Sequence, residues 1–142
     1  MYLTGTFKHN LDAKQRITLP APFRKEFNEK VVLIPVSGKI YGFTPEGHRE
    51  WVESFFAEGF DPRNKNHVKL RRALTSMAFT VELDSAGRIA LGKLGAETIG
   101  KCGIEREVTV LGNVDHFEIW DSARYEQEMS EVADDLEDLM FG

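Results

Sequence analysis

Hydrophobic and polar residues alternate with a period of two in several parts of this 142-residue chain. In segment 79–83, Phe, Val and Leu alternate with Thr and Glu, and the alternation returns at 89–91. This period is typical of half-buried β-strands. Gly87 lies between the two segments and accepts a positive φ. The pattern therefore predicts a strand, a tight turn and a second strand.

The same pattern occurs earlier in the chain as one copy of an internal repeat. A shift of 72 residues aligns segment 11–19 with 83–91, with five identities in nine positions. A shift of 77 aligns the apolar run 31–34 with 108–111, so the second copy has five extra residues before that point. Each copy is predicted to form a strand, a turn, a strand, a short helical piece and a two-stranded hairpin.

Helical patterns accompany both copies. Thr44 and Pro45 fit the N-cap and first position of a helix whose apolar residues recur at helical spacing as far as Gly59. A short helix is expected after the polar connector 61–66. Asp121 caps a final acidic helix, and the apolar stripe along that helix needs a partner: Tyr125, Met129, Val132, Ala133, Leu136, Leu139 and Met140.

These elements predict an α+β fold with a mainly β core. We expect the two β modules to form one pseudo-symmetric barrel with flanking helices, in which strands can be swapped between modules. The predicted divisions are a first module at 5–51, a helical connector at 52–76, a second module at 77–124 and an acidic amphipathic C-terminal helix at 125–142.

Charge is distributed unevenly around the net value of −5. Residues 1–25 contain five basic residues and one acid, as do residues 61–75, whereas residues 122–142 contain seven acids and one Arg. A solvated face explains the acidic tail best. The basic segments fit either a solvated face or a surface that contacts phosphates.

Composition and motifs narrow the classes of function. A hydrophobic content of 42% fits a globular chain, and the single Cys102 cannot form an internal disulfide, so a cytoplasmic location is expected. No membrane span and no export signal is predicted. Phosphate loops, nucleophile elbows and paired metal-ligand spacings are missing, so we predict no enzyme, no metal and no cofactor. The four histidines are scattered: His9, His48, His67 and His116.

The repeated motif Asp-x-x-x-Arg lies on the predicted turns. A carboxylate at Asp12 or Asp84 can accept hydrogen bonds from backbone N–H groups one or two residues on. Arg16 and Arg88 return on the far side of each turn, where either can pair with the Asp. A single copy of the motif is explained by a turn-closing ion pair. Two copies favour a functional interpretation, because a duplicated fold can present two equivalent turns on one surface.

The duplicated segments 12–16 and 84–88, with Leu19-Pro20 after the first, resemble the MraZ family over nearly the whole chain. Each copy is similar to the SpoVT-AbrB domain, whose β module is swapped-hairpin and double-psi-like. The resemblance implies a bacterial transcription regulator of the division and cell-wall gene cluster. It further implies binding of double-stranded DNA at short promoter repeats, a ring-shaped homo-oligomer and association with the nucleoid.

We expect Arg16 to contact a base, since a guanidinium can bind guanine O6 and N7 through two parallel hydrogen bonds. Asp12 would hold that guanidinium in place. Phosphate neutralisation supplies much of the affinity of DNA-binding proteins. The predicted phosphate contacts cluster with Arg16 around the first turn: Lys8, Lys14, Arg24 and Lys25.

The second turn is predicted to contribute less, because Ala86 and Gly87 stand where the first turn has Lys14 and Gln15. Arg88 either binds DNA more weakly or belongs to a mainly structural turn shaped by Asp84 and Gly87. Two other classes of function stay open. An antitoxin-like module could hold a partner protein through the acidic tail, whereas an enzyme has no motif in its support.

Overall fold

The computed structural model describes all 142 residues as eight strands, five α-helices and a short 3-10 turn at Gly92–Leu94. The strands are β1 Thr6–Asn10, β2 Arg16–Thr18, β3 Lys30–Val36, β4 Lys39–Phe43, β5 Phe79–Glu82, β6 Arg88–Ala90, β7 Glu107–Gly112 and β8 Phe117–Asp121. The helices are α1 Ala21–Arg24, α2 Pro45–Ser54, α3 Lys65–Ser76, α4 Ala96–Lys101 and α5 Ser122–Phe141. The predicted α+β class with a mainly β core is confirmed.

The order of elements repeats along the chain. Strands β1 to β4 correspond to β5 to β8, and a helix follows each hairpin. The predicted helix starts are also confirmed: the Thr44 side chain accepts a hydrogen bond from the Gly47 N–H at the start of α2, and Asp121 accepts one from the Arg124 N–H at the start of α5. Both caps satisfy backbone donors that the first helical turn leaves free.

Strands from the two copies interleave in one antiparallel six-stranded sheet of order β1-β7-β8-β4-β3-β5. The first strand of each copy pairs with the third strand of the other copy: β1 with β7, and β5 with β3. The fourth strands, β4 and β8, pair with each other at the centre. Neither copy therefore completes its own sheet.

A single closed barrel, expected from the sequence, is not found. Strands β1 and β5 form the two edges of an open sheet, while β2 and β6 form a separate two-stranded sheet, here called the ribbon. The reason lies in the second strand of each copy. It is only three residues long, and it pairs with its counterpart instead of joining the sheet edges.

The main core lies between the ribbon and one face of the six-stranded sheet. Ribbon residues such as Ile17 and Ile89 are completely or almost completely buried there, together with Phe117 from the sheet and Phe23 from α1. Burial of each such side chain contributes about 1.5–3 kcal/mol. This packing fixes the ribbon on the sheet, so the turns that precede β2 and β6 are held on a rigid base. We call this side of the molecule the ribbon face.

Helices α2 and α5 pack on the opposite side of the sheet, here called the helix face. Trp51 of α2 packs against Tyr41 of the sheet, and Tyr125 of α5 packs against Trp120. Beyond Tyr125, most of the apolar stripe on α5 is exposed, with Leu139 68% accessible. None of the helices has the length and apolar character needed to cross a bilayer.

Candidate nucleic-acid interface

The turn before β2 is built around the carboxylate of Asp12. One oxygen, Oδ1, accepts hydrogen bonds from the backbone N–H groups of Lys14 at 2.8 Å and Arg16 at 2.9 Å. The other, Oδ2, accepts from Nε of Arg16 at 2.7 Å. The backbone closes the turn through Gln15 N–H to the Asp12 carbonyl oxygen at 3.0 Å. A single Asp therefore shapes the loop and orients the arginine.

The turn before β6 repeats this geometry. Asp84 Oδ1 accepts from the backbone N–H groups of Ala86 at 2.9 Å and Arg88 at 2.8 Å, and Oδ2 accepts from Nε of Arg88 at 2.9 Å. The Gly87 N–H donates to the Asp84 carbonyl oxygen at 2.9 Å. The motif Asp-x-x-x-Arg thus forms the same braced arginine in both copies, although the residues between differ.

Both carboxylates are held in the ionised form. The hydrogen bond from the backbone N–H of Arg16 is the largest cause, and it lowers the pKa of Asp12 below its ordinary value. Burial opposes this effect, and the Arg16 side chain and the Lys14 N–H add to the lowering. Arg88 does the same for the pKa of Asp84. Of the guanidinium nitrogens of Arg16 and Arg88, only Nε is bonded to the Asp. The terminal amino groups of both side chains form no hydrogen bond within the protein. These donors are free for a ligand.

The ribbon places both arginines on one side. Arg16 lies opposite Ala90, and Thr18 lies opposite Arg88 in the antiparallel register. Arg16 and Arg88 are thus diagonal neighbours on the same side of the ribbon. The backbone positions of such a pair are about 7–8 Å apart in antiparallel strands. The residues between them point into the core, because successive side chains on a strand face opposite ways: Ile17 and Ile89.

The other predicted contacts separate into different places. Lys14 is exposed at the tip of the first turn. Arg24 lies at the second turn, not the first: its side chain crosses Gly87, and its Nε donates to the Leu19 carbonyl oxygen at 2.9 Å.

Lys8 lies apart from this group. Its ammonium forms an ion pair of 2.7 Å with Glu126 of α5. Its neighbour Phe7 packs into the main core, so Lys8 points from β1 toward the helix face. The structure therefore does not bring Lys8 together with the braced arginines.

Sequence reasoning missed a buried polar network on the helix face. His116 Nε2 lies 2.9 Å from Glu118 Oε2, and Glu118 also accepts from Asn113 Nδ2 and Trp120 Nε1 at 2.9 Å each. The His116 ring stacks on Tyr41 with centroids 4.5 Å apart. The only sequence signal for this network was the alternation along β8. It places the residues at 116, 118 and 120 on one face of the strand.

Burial and hydrogen bonding act in opposite directions on this pair. Burial disfavours the charged form of His116, but hydrogen bonds to Glu118 and Asp115 outweigh it and raise the pKa of His116 above its ordinary value. Burial likewise disfavours ionised Glu118, but its three hydrogen bonds lower the pKa of that carboxyl. The hydrogen bonds thus favour the charged form of both groups, and every polar atom of the pair has a partner.

A surface cavity of about 880 Å³ is lined mainly by polar residues around the start of β3 and the start of α2, away from the turns. The structure holds no group of three or more His, Cys, Asp or Glu side chains arranged to bind a metal ion.

The fold and the turns define a class: a duplicated β-module protein that presents two carboxylate-braced arginines on one face. Comparison with known families gives a specific match. The model of the family described as "MraZ protein, putative antitoxin-like" matches residues 2–70 and 74–139. The chain belongs to the MraZ family, which confirms the resemblance seen in its motifs.

Relatives named "Transcriptional regulator MraZ" align over most of the chain. The Mesoplasma florum protein is 29% identical over 141 residues, covering 98% of this chain and 93% of its own length. The Spiroplasma kunkelii protein is 32% identical over 123 residues, covering 85% and 82%. The Corynebacterium jeikeium protein is 31% identical over 134 residues, covering 94% and 91%. All three carry the name of a regulator, and none that of an enzyme.

Proposed function

We propose that this protein is a sequence-specific DNA-binding regulator of transcription whose ribbon face contacts the duplex. The observation that carries the proposal is the pair of braced arginines, Arg16 and Arg88, on one side of the ribbon with their terminal amino groups unengaged. The names of the relatives support the same function.

Arg16 is the residue proposed to contact a base. Its guanidinium is fixed by Asp12 at 2.7 Å, so little side-chain entropy is lost when it binds. Two donors in a fixed fork match guanine O6 and N7 in the major groove, which is wide enough for a two-stranded β element. Lys14, exposed beside it, would neutralise a phosphate. Asp12 would act only through Arg16.

A ring-shaped homo-oligomer is part of the proposal. One module with a few phosphate contacts binds DNA weakly, whereas identical ribbon faces around a ring can engage successive promoter repeats at high effective concentration. Self-association is supported by four apolar residues exposed together at the end of α5, because contiguous exposed apolar surface favours a partner: Leu136, Leu139, Met140 and Phe141.

The remaining details are proposed on the family resemblance. They are action on the division and cell-wall gene cluster, residence at the nucleoid in the cytoplasm, and a close association of two modules at 5–51 and 77–124. The interleaved strands support that association. The segments 52–76 and 125–142 would then serve as the helical connector and the acidic C-terminal helix.

Fluorescence anisotropy tests the central proposal. The labelled duplex comes from upstream of the protein's own gene, and a shuffled duplex of equal composition is the control, each at two salt concentrations. Specific binding is expected to favour the native duplex by 10³-fold or more, roughly the range of specific protein–DNA complexes. Equal and steeply salt-dependent binding to both duplexes would reduce the function to a basic surface.

The second candidate is an antitoxin-like module that binds a protein partner. The observation in its favour is the exposed acidic and apolar surface of α5, where Leu139 is 68% accessible. Size-exclusion chromatography with light scattering separates the candidates. A self-assembled ring supports the proposed regulator, whereas a monomer that binds no promoter duplex favours the partner-binding module.

A further inference from the structure

Gly87 in the second turn is buried, whereas Gln15, its counterpart in the first turn, is exposed. The group that covers Gly87 is the side chain of Arg24. A Cβ atom at position 87 would lie 2.5 Å from Cδ and 2.7 Å from Nε of Arg24. The glycine therefore leaves the space in which the Arg24 side chain lies.

Arg24 is also fixed in this position by hydrogen bonds. Its Nε donates to the Leu19 carbonyl oxygen at 2.9 Å, while the Leu19 N–H donates to the Gly87 carbonyl oxygen at 2.8 Å. The neighbouring Phe23 is buried in the main core and anchors α1. Arg24 is therefore held against the turn of the second copy by residues of the first copy.

The repeat supplies no counterpart of Arg24 to the first turn. Under the 72-residue shift, the residue that corresponds to Arg24 is the uncharged Ala96. The first turn instead carries its own Lys14, at a position where the second turn has Ala86. Each turn therefore has two cations. The second turn obtains one of them, Arg24, from the other copy.

We propose that Arg24 and Arg88 form one composite site for a DNA phosphate, assembled from both copies of the repeat. The site rests on the proposed function and adds a second anchoring point beside the Arg16 base contact. Nε of Arg24 is bonded to the Leu19 carbonyl oxygen and Nε of Arg88 to Asp84. The terminal amino groups of both residues form no hydrogen bond within the protein, and guanidinium forks of this kind match phosphate oxygens.

A double-mutant cycle tests this assignment on the full-length protein and the native duplex. Arg24→Gln is expected to lower affinity about tenfold and to reduce the slope of log affinity against log salt by about 0.9. In combination with Arg88→Gln, the double variant is expected to lose less than the product of the single losses, because both residues serve one phosphate. In combination with Arg16→Gln, the losses are expected to multiply. Lys39→Gln, which removes a charge that lies over the Trp120 ring on the helix face, is the control and should change affinity less than twofold.

Gly87→Gln is a second, independent test, because it installs in the second turn the residue that the first turn has. Gln15 adopts a φ of 56°, which shows that glutamine is tolerated in such a turn. The new side chain is expected to displace Arg24, so affinity should fall to the level of Arg24→Gln and fall no further in the double variant. Gln15→Gly, the reverse exchange, should leave affinity within about twofold.

The outcomes separate this inference from the proposed function. If Arg16→Gln and Arg88→Gln weaken binding but Arg24→Gln and Gly87→Gln do not, the composite site is wrong and the regulator stands. Multiplying losses for the 24/88 pair, with a thermal midpoint equal to that of the parent protein, would also overturn the composite site. A parent protein that binds no duplex would overturn both.

Discussion

Charged side chains on the two faces of the six-stranded sheet differ in their exposure and in how completely they are hydrogen-bonded. On the ribbon face, Arg16 and Arg88 are half-exposed and each is held by one carboxylate through Nε alone. On the helix face, the side chains of His116 and Glu118 are 10% and 5% accessible, and every polar atom of the pair has a partner. The two arginines have unused donors, whereas the buried pair has no polar atom without a partner.

This difference follows from the cost of desolvation. A buried charge without partners costs several kcal/mol, so an interior pair survives only when it is fully satisfied. No buried side-chain nitrogen or oxygen lacks a hydrogen bond. A solvent-exposed guanidinium has water as its alternative partner and can exchange it for a ligand. We therefore expect mutations on the ribbon face to alter binding and mutations on the helix face to alter stability.

Arg16→Ala should have the largest effect. Loss of a bidentate base contact costs about 1–3 kcal/mol per subunit and is multiplied when several subunits bind together, so specific affinity should fall about a hundredfold or more. Arg88→Ala should weaken binding less, by about tenfold, because Arg24 stays at the second turn. Anisotropy titrations of the two variants give the ranking, and equal losses would remove the distinction between the turns.

Glu118→Ala should be the most destabilising change on the helix face. It leaves His116 buried without its charged partner and removes acceptors from Asn113 and Trp120. The free energy of unfolding should fall by about 3–5 kcal/mol. Urea unfolding measures this loss. The DNA affinity of the folded fraction should be unchanged, and a binding defect without a stability loss would contradict the division between faces.

The His116–Glu118 pair should make stability depend on pH. The raised pKa of His116 means that its stabilisation is complete below the ordinary value of 6.5 and is lost as pH rises through the folded pKa. The lowered pKa of Glu118 means that its stabilisation is complete above 4.5 and is lost as pH falls through the folded pKa. Unfolding free energies at several pH values should therefore be highest between these limits. His116→Gln should reduce the loss of unfolding free energy at alkaline pH. If that loss is unchanged in the variant, another group causes it.

Leu136→Ser with Leu139→Ser should change assembly more than folding. Both side chains are exposed in the single chain, at 49% and 68% accessibility, so their loss removes little intramolecular packing. The thermal midpoint measured at low protein concentration should move by only a few degrees. Light scattering should show smaller oligomers. Unchanged assembly would exclude this part of α5 from the subunit interface.

Lys8→Ala should have the smallest effect. Lys8 and Glu126 are exposed, at 62% and 58% accessibility, and exposed ion pairs contribute little to stability. Lys8 also points away from the ribbon face, so neither the unfolding midpoint nor the affinity for the native duplex should change measurably. A clear loss of affinity would mean that DNA also contacts the helix face.

The sequence was most informative where local chemistry decides structure. Repeat spacing, the Thr44 and Asp121 caps and the turn residues predicted the order of elements, because each signal acts within a few residues. Strand exchange between the copies was expected as a possibility, but the choice of paired strands and the open sheet depend on long-range pairing that periodicity does not encode. For this reason the prediction of a single closed barrel was wrong.

The candidate site likewise has a local part that the sequence predicts and a long-range part that it does not predict. The geometry of Asp12 with Arg16 is local and follows from the motif. The position of Arg24 is not local, because it depends on how α1 packs against the turn of the other copy, and the sequence grouped it with the first turn. The partners of Lys8 and of Glu118 likewise come from elements that meet only in the folded chain.

The pairing of β1 with β7 has a consequence for synthesis of the protein. Residues 6–10 pair with 107–111, so the first strand waits for about 100 further residues before its partner leaves the ribosome. At roughly 5–20 residues per second, this delay lasts about 5–20 seconds. During it the β3–β4 hairpin can form locally, whereas β1 stays unpaired. Folding of the sheet is therefore a late event, completed only after residues 107–111 have left the ribosome.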